Sequence, residues 1–172
     1  MAAPDLACPS FRLDGRSALV TGASRGIGRA LALGLAHAGA DVALAARSKD
    51  ALEEAARKVQ ELGRRAVVIE IDVAEVARLP AAVDRALEAL GGLDILVNSA
   101  GMEQVADSLE LSPALWDRIL DTNLRSAFFL SQAGARVMPA AGGAILNVCS
   151  LTSAVGVPTR FPTPAPRAAC SA

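Results

Sequence analysis

"TGASRGIG", residues 21–28, decides how this chain folds. The apolar run that leads into it, Ser17–Gly22, reads as a buried strand. The run that follows, "GIGRALALGLAHAGA", reads as a helix with Ile27, Leu31 and Leu35 on one face and Gly39 near its C-terminal cap. Gly22, Gly26 and Gly28 permit a tight turn and a close backbone approach, with Ser24 and Arg25 between them. The helix then aims its free N–H groups and the positive end of its dipole into the turn, an arrangement suited to a phosphate. Glycines also merely end strands, so the weight falls on the setting: a glycine-rich turn between a strand and a helix reads as a nucleotide site.

The pattern continues outward. "DVALAAR" (41–47), "AVVIEI" (66–71), "DILVNSAG" (94–101) and "AILNVCS" (144–150) are further apolar strand runs. Between them, Lys49–Leu62 and Leu79–Leu90 read as helices closed by Gly63 and by Gly91-Gly92. Glu53 with Arg57 and Glu54 with Lys58 sit four apart and decorate a solvated face. Ser112-Pro113 offers an N-cap and a first-turn proline for a helix that reaches Met138 with room for a kink. Apolar strands alternating with helices predict an α/β fold, a Rossmann-like doubly wound parallel sheet with right-handed crossovers. The domain spans 14–158, after an N-terminal extension over 1–13 and before an irregular tail over 159–172.

Composition narrows the function. With 52% apolar and 20% charged residues, disorder is excluded over most of the chain. A net charge of −1 offers no basic field for nucleic acid or an anionic membrane. The most apolar helix, near Asn123–Met138, is broken by Arg125 and Arg136 and is no membrane span. Cys8, Cys149 and Cys170 are odd in number and lack metal-ligand spacing, so no metal site is expected. "MAAPDLACPSF" lacks a secretion pattern, and a reducing cytoplasm is the expected compartment. His37 reads as a surface residue and Cys149 as a packed one.

Ligands on such sheets bind where the strands end. At the second exit an acidic residue would bond the ribose 2′-hydroxyl of NAD and repel a 2′-phosphate, but this chain has Ala46 and Arg47 there. Arg25 and Arg47 converging on one spot suit a phosphate dianion, which favours NADP and makes NAD the less favoured cofactor. The alternative, two ordinary surface arginines, stays open.

The first turn is spaced G-x-x-x-G-x-G. Together with "NSAG" (98–101), "DTNL" (121–124) and "ILNVCS" (145–150), it resembles the short-chain dehydrogenase/reductase family of oxidoreductases. The resemblance covers roughly Leu13–Pro158 in the family's order, with Ser99 where the family has a second asparagine. It implies that Asp72 and Val73 flank the adenine and that Asn98, Ala100 and Gly101 border the adjoining ribose. It implies catalysis by Asn, Ser, Tyr and Lys on a small carbonyl or alcohol substrate, commonly in a homo-oligomer. Asn123 and Ser150 match the first two roles: support of a proton-relay water and polarisation of the substrate carbonyl. "SLTSAVGVP" (150–158) is similar to relatives acting on sugar acids and on acyl ketones alike.

The family's Tyr-x-x-x-Lys falls on Thr163 and Arg167, in a chain with no tyrosine at all. An aliphatic alcohol lacks the phenol's pKa of about 10, and a guanidinium fork is no substitute for a compact ammonium. The four prolines at 158, 162, 164 and 166 mark an abrupt change of composition. Read one base earlier, a permitted coding of Arg160–Cys170 gives Val-Pro-Tyr-Ala-x-x-Lys-Gly, so the tail is expected to be catalytic sequence out of frame. Missing later elements would leave a sheet edge and helix faces open, and poor solubility is expected. Three readings follow: an NADP-dependent oxidoreductase, a non-catalytic NADP-binding module, or a fragment without function.

Overall fold

The computed structural model describes residues 10–104, 106, 107 and 109–150. Cys8, Thr163, Arg167 and Cys170 lie outside the described residues. Every residue of β1 (Ser17–Thr21) is buried, which marks it as a central strand. Around it run β2 (Asp41–Ala46), β3 (Ala66–Glu70), β4 (Ile95–Asn98) and β5 (Ala144–Asn147), all parallel, in the order β3-β2-β1-β4-β5. The expected Rossmann-like doubly wound sheet is therefore present.

Alternation along the strands separates two cores. Leu19, Ala43, Ala45 and Leu96 face one side, where α3 (Leu79–Leu90) and α5 (Ser126–Val137) pack. Val20, Val42, Leu44 and Val97 face the other, beneath α1 (Gly26–Ala38) and α2 (Lys49–Glu61). Burial of each leucine here is worth about 1.5–3 kcal/mol, so the sandwich of helices is what makes the apolar strands stable. On the surface, Glu54 pairs more closely with Arg29 of α1 (2.7 Å) than with Lys58 (3.9 Å), and Glu53 pairs with Lys49.

The sequence-predicted face of α1 needs correction. Ile27 is 63% exposed, Leu31 and Leu35 are half-buried, and Gly28, Ala32 and Ala36 face the sheet. The small residues win because Gly28 lies against the backbone of the preceding turn, which holds the helix too close for larger side chains. The later helix runs from Pro113 to Val137 as expected, and its irregularity is a widened turn. It opens at α4 (Pro113–Leu120), where the Ser112 hydroxyl accepts the Leu115 N–H, widens into a π turn over Asp121–Arg125, and continues as α5. Cys149 is exposed rather than packed, whereas His37 is exposed as expected.

Some apolar surface remains open. Leu120, Leu124, Phe128 and Phe129, with Arg125, line a hollow of about 340 Å³, and Ile145 and Leu146 of β5 are partly exposed. No helix among the described residues is long and apolar enough to cross a membrane.

Two carboxylates brace the end of the sheet away from the glycine turn. Asp94 accepts the Ser17 N–H (2.9 Å), the Ser17 hydroxyl (3.1 Å) and Arg16 (2.7 Å). Asp41 takes the Arg65 N–H (2.8 Å) and its guanidinium (2.7 Å). Burial pushes both carboxyls up, but these bonds and the arginine charges outweigh it and hold both below the ordinary value. A depressed carboxyl stabilises the fold fully above its unfolded pKa of about 3.9 and loses that contribution as pH falls through the folded value. Urea unfolding should therefore show a flat midpoint from neutral pH down to about 5 and a fall below about 4. Asp94→Ala should cost about 1–3 kcal/mol at neutral pH, with the gap to wild type closing in acid. A gap independent of pH would show that Asp94 acts by packing alone.

Candidate active site

The strand order reverses between β1 and β4, and the exits of these neighbours form the floor of a crevice. Two features press the exits together. Gly22, at φ +68°, faces the next chain so closely that a Cβ there would lie 2.9 Å from the backbone N and Cα of Ala100. The Thr21 hydroxyl accepts the N–H groups of Ser99 (3.1 Å) and Ala100 (3.2 Å) and donates to the Val97 carbonyl (3.3 Å). Gly28 then brings α1 onto the Gly22 carbonyl, where a Cβ would collide.

Above this floor the start of α1 is left open. Its N-cap, Arg25, makes no side-chain capping bond, the first turn carries no acidic residue, and a Cβ on Gly26 would meet nothing within 4 Å. Orphan N–H groups of a helix start are thus available to an anion, and the glycine cradle fits a pyrophosphate. Ser24 is half-buried beside it, and Arg25 and Ile27 are exposed at its rim.

At the second and third exits, Arg47 is exposed and stands 3.7 Å from the Asp72 carboxylate. Asp72 also accepts the Ala74 N–H at 3.0 Å. Val73 is only 5% exposed and belongs to the core with Ile71 and Leu79, so its side chain is turned from the crevice.

The fourth exit leads into the turn that faces Gly22. The backbone of Ser99 and Ala100 lies against Gly22, exposed Gly101 follows, and the Asn98 side chain points into the protein. Its amide nitrogen donates to the Ala127 carbonyl (3.3 Å), the Ser131 hydroxyl (2.9 Å) and the Asn147 side chain (2.9 Å). Its amide oxygen is buried with no partner among the described residues, a cost of about 1–3 kcal/mol. Asn98 thus has its side chain committed to structure, leaving only backbone for a ribose.

Asn123 sits at the centre of the π turn and is buried. π turns concentrate at functional sites because they reorient one side chain within an otherwise regular helix. Here the turn delivers the carboxamide to the Met102 backbone, accepting its N–H (2.8 Å) and donating to its carbonyl (2.9 Å). The Ser126 hydroxyl takes up the Thr122 carbonyl (2.6 Å), and Arg125 pairs with Asp121 (2.6 Å) across the widened turn. Asn123 therefore ties the helix to the loop leaving β4. Ser150 is half-buried just beyond β5, the strand that neighbours β4.

Residues 16–170 match the model of the short chain dehydrogenase family. The chain belongs to the short-chain dehydrogenase/reductase family. The match extends beyond Pro158, where the motifs legible in the sequence stop. Among family members, the 2-dehydro-3-deoxy-D-gluconate 5-dehydrogenase of Escherichia coli (strain K12) is 39% identical over 151 residues, covering 86% of this chain and 58% of that protein. A Sinorhizobium meliloti 1021 protein assigned as a short-chain alcohol dehydrogenase superposes with a TM-score of 0.91 at 52% identity, over 94% of this chain and 65% of that one. A short chain dehydrogenase from Burkholderia cenocepacia J2315 in complex with NADP gives a TM-score of 0.88 at 39% identity, over 92% and 65%. The chain thus spans about three-fifths of the length of such relatives.

Two of the residues that build this site, Ser126 and Ser131, lie outside the motifs legible in the sequence, while Thr21 and Asn147 lie inside them with no role that the motif itself reveals. Thr21 offers a signal of another kind, since a hydroxyl ending a buried strand needs partners. Thr21→Val should cost about 1–3 kcal/mol in urea unfolding because two amides lose their acceptor. Thr21→Ser, which keeps the hydroxyl, should retain most of that stability. Equal losses in both variants would show that the methyl group, not the hydroxyl, does the bracing.

Proposed function

We infer that this chain is the cofactor-holding part of a cytoplasmic, NADP-dependent oxidoreductase that interconverts a carbonyl and a secondary alcohol on a small-molecule substrate. The observation that carries the reading is the open glycine cradle at the switch point, with Arg25 and Arg47 at its rim. The cradle would bind the pyrophosphate through backbone N–H groups, and the arginines would take the 2′-phosphate. The nicotinamide, when bound, supplies the hydride chemistry. Asp72, Ala100 and Gly101 would border the adenosine, joined by the backbone of Val73 and Asn98. Ser150 would polarise the substrate carbonyl. Asn123, with its orientation fixed by Met102, would hold a proton-relay water. A sugar acid is the substrate class suggested by the name of the Escherichia coli relative. Self-association of the kind common in the family would draw on the apolar face around Phe128 and Phe129.

A second reading is favoured by one fact: the sequence contains no tyrosine, and Thr163 and Arg167 occupy the Tyr and Lys positions. The chain would then bind NADP without turning substrate over. Fluorescence titration with NADPH and NADH, followed by NADPH oxidation with a panel of carbonyls, separates the readings. NADPH should bind at least tenfold more tightly than NADH, about 1.4 kcal/mol, and Arg47→Asp should abolish that preference. Binding without oxidation supports the second reading, and no binding of either cofactor defeats both. Sequencing the coding DNA around Thr163 tests the frame: a TAC one base out of register is expected, and its absence makes the tail a true divergence.

A further inference from the structure

Asn98 stands between two elements that have little direct contact with each other, α5 and β5. Its amide nitrogen reaches Ala127 and Ser131 on α5 and Asn147 on β5, and its carbonyl accepts the Val148 N–H (3.0 Å). Asn123 lies one helical turn before Ala127, and Ser150 follows closely after Val148. We propose that Asn98 is a positioning residue that sets the separation of Asn123 from Ser150. The proposal rests on the reading of those two residues as site residues. It goes beyond packing for a physical reason. The buried, unpartnered amide oxygen is a cost that an apolar residue of the same shape would avoid. The amide group gives something leucine cannot, a directional link to a helix on one side and a strand on the other. Three acceptors for two hydrogens also mean one shared bond, so the link constrains both elements at once.

Amide hydrogen exchange on the purified chain without cofactor tests this, and it reads out equally well on a chain that binds no nucleotide. Two amides report on the site: Met102 N–H, bonded to Asn123, and Val148 N–H, bonded to Asn98. Val42 N–H, bonded to Arg65, reports on the far side of the sheet. In Asn98→Leu both site amides should exchange at least about tenfold faster while Val42 stays within about twofold. Val59→Ala, a cavity in the opposite core, should speed all of them together. Should Asn98→Leu fail to fold, single-partner variants carry the test. Ser131→Ala should release Met102 and spare Val148, and Asn147→Ala should do the reverse. Site amides that move only in step with Val42 in these variants would overturn the proposal and leave Asn98 a packing residue.

Discussion

The fold depends on the approach of two backbones at the point where the sheet reverses its strand order. β1 and β4 exchange hydrogen bonds as parallel neighbours, yet their chains leave in opposite directions, one into α1 and the other toward α4. A crevice opens between such exits only if the turns do not fill it with side chains. Gly22 against Ala100 and Gly28 against Gly22 satisfy this by having no Cβ to place. The cost is entropic, since a glycine loses more freedom on folding than other residues do. Thr21 offsets part of it by holding two amides of the opposite exit on one hydroxyl.

The same approach explains why the site's polar side chains turn inward. Once the exits touch, the residue ending β4 is buried and the one ending β5 is half-buried against it. A carboxamide there must find partners within the protein or remain unsatisfied. Asn98 and Asn147 meet each other, and Ser131 closes the cluster from α5. Asn123 needs a different solution, because a regular helix gives no side chain the freedom to reach the loop after β4. The π turn supplies it, and Ser126 and the Arg125–Asp121 pair satisfy groups around the widened segment.

Strands, helices and the glycine turn were legible in the sequence because their signals are local: apolar runs, 3.6-residue periodicity, and glycines where a strand meets a helix. The face of α1 was not. Hydrophobicity points to Ile27, Leu31 and Leu35, whereas distance to the sheet selects Gly28, Ala32 and Ala36, and alanine and glycine carry little hydrophobic signal. The inward turn of Asn98 and Val73 was hidden because a motif marks which residues border a crevice, not which way each side chain leaves the backbone. The π turn was hidden for a related reason: its extra residue is absorbed by a tertiary contact, Asn123 with Met102, some twenty residues away in sequence. Cys149, expected to pack, ends up exposed just past β5, a strand that has a neighbour on one side among the described residues.

The charge arrangement at the crevice rim bears on the proposed preference for a phosphorylated cofactor. Arg47 faces Asp72 at 3.7 Å with three-quarters of its side chain in water, so the pair is worth at most about 1 kcal/mol. A phosphate dianion carries twice the charge of a carboxylate and presents several acceptor oxygens to a guanidinium fork. Losing Arg47 would not strand Asp72, which keeps its bond to the Ala74 N–H and its contact with solvent. The pairing therefore does not neutralise the arginine against a ligand. It holds the guanidinium near the second exit while costing little to break, so a 2′-phosphate would meet a cation already close to its place.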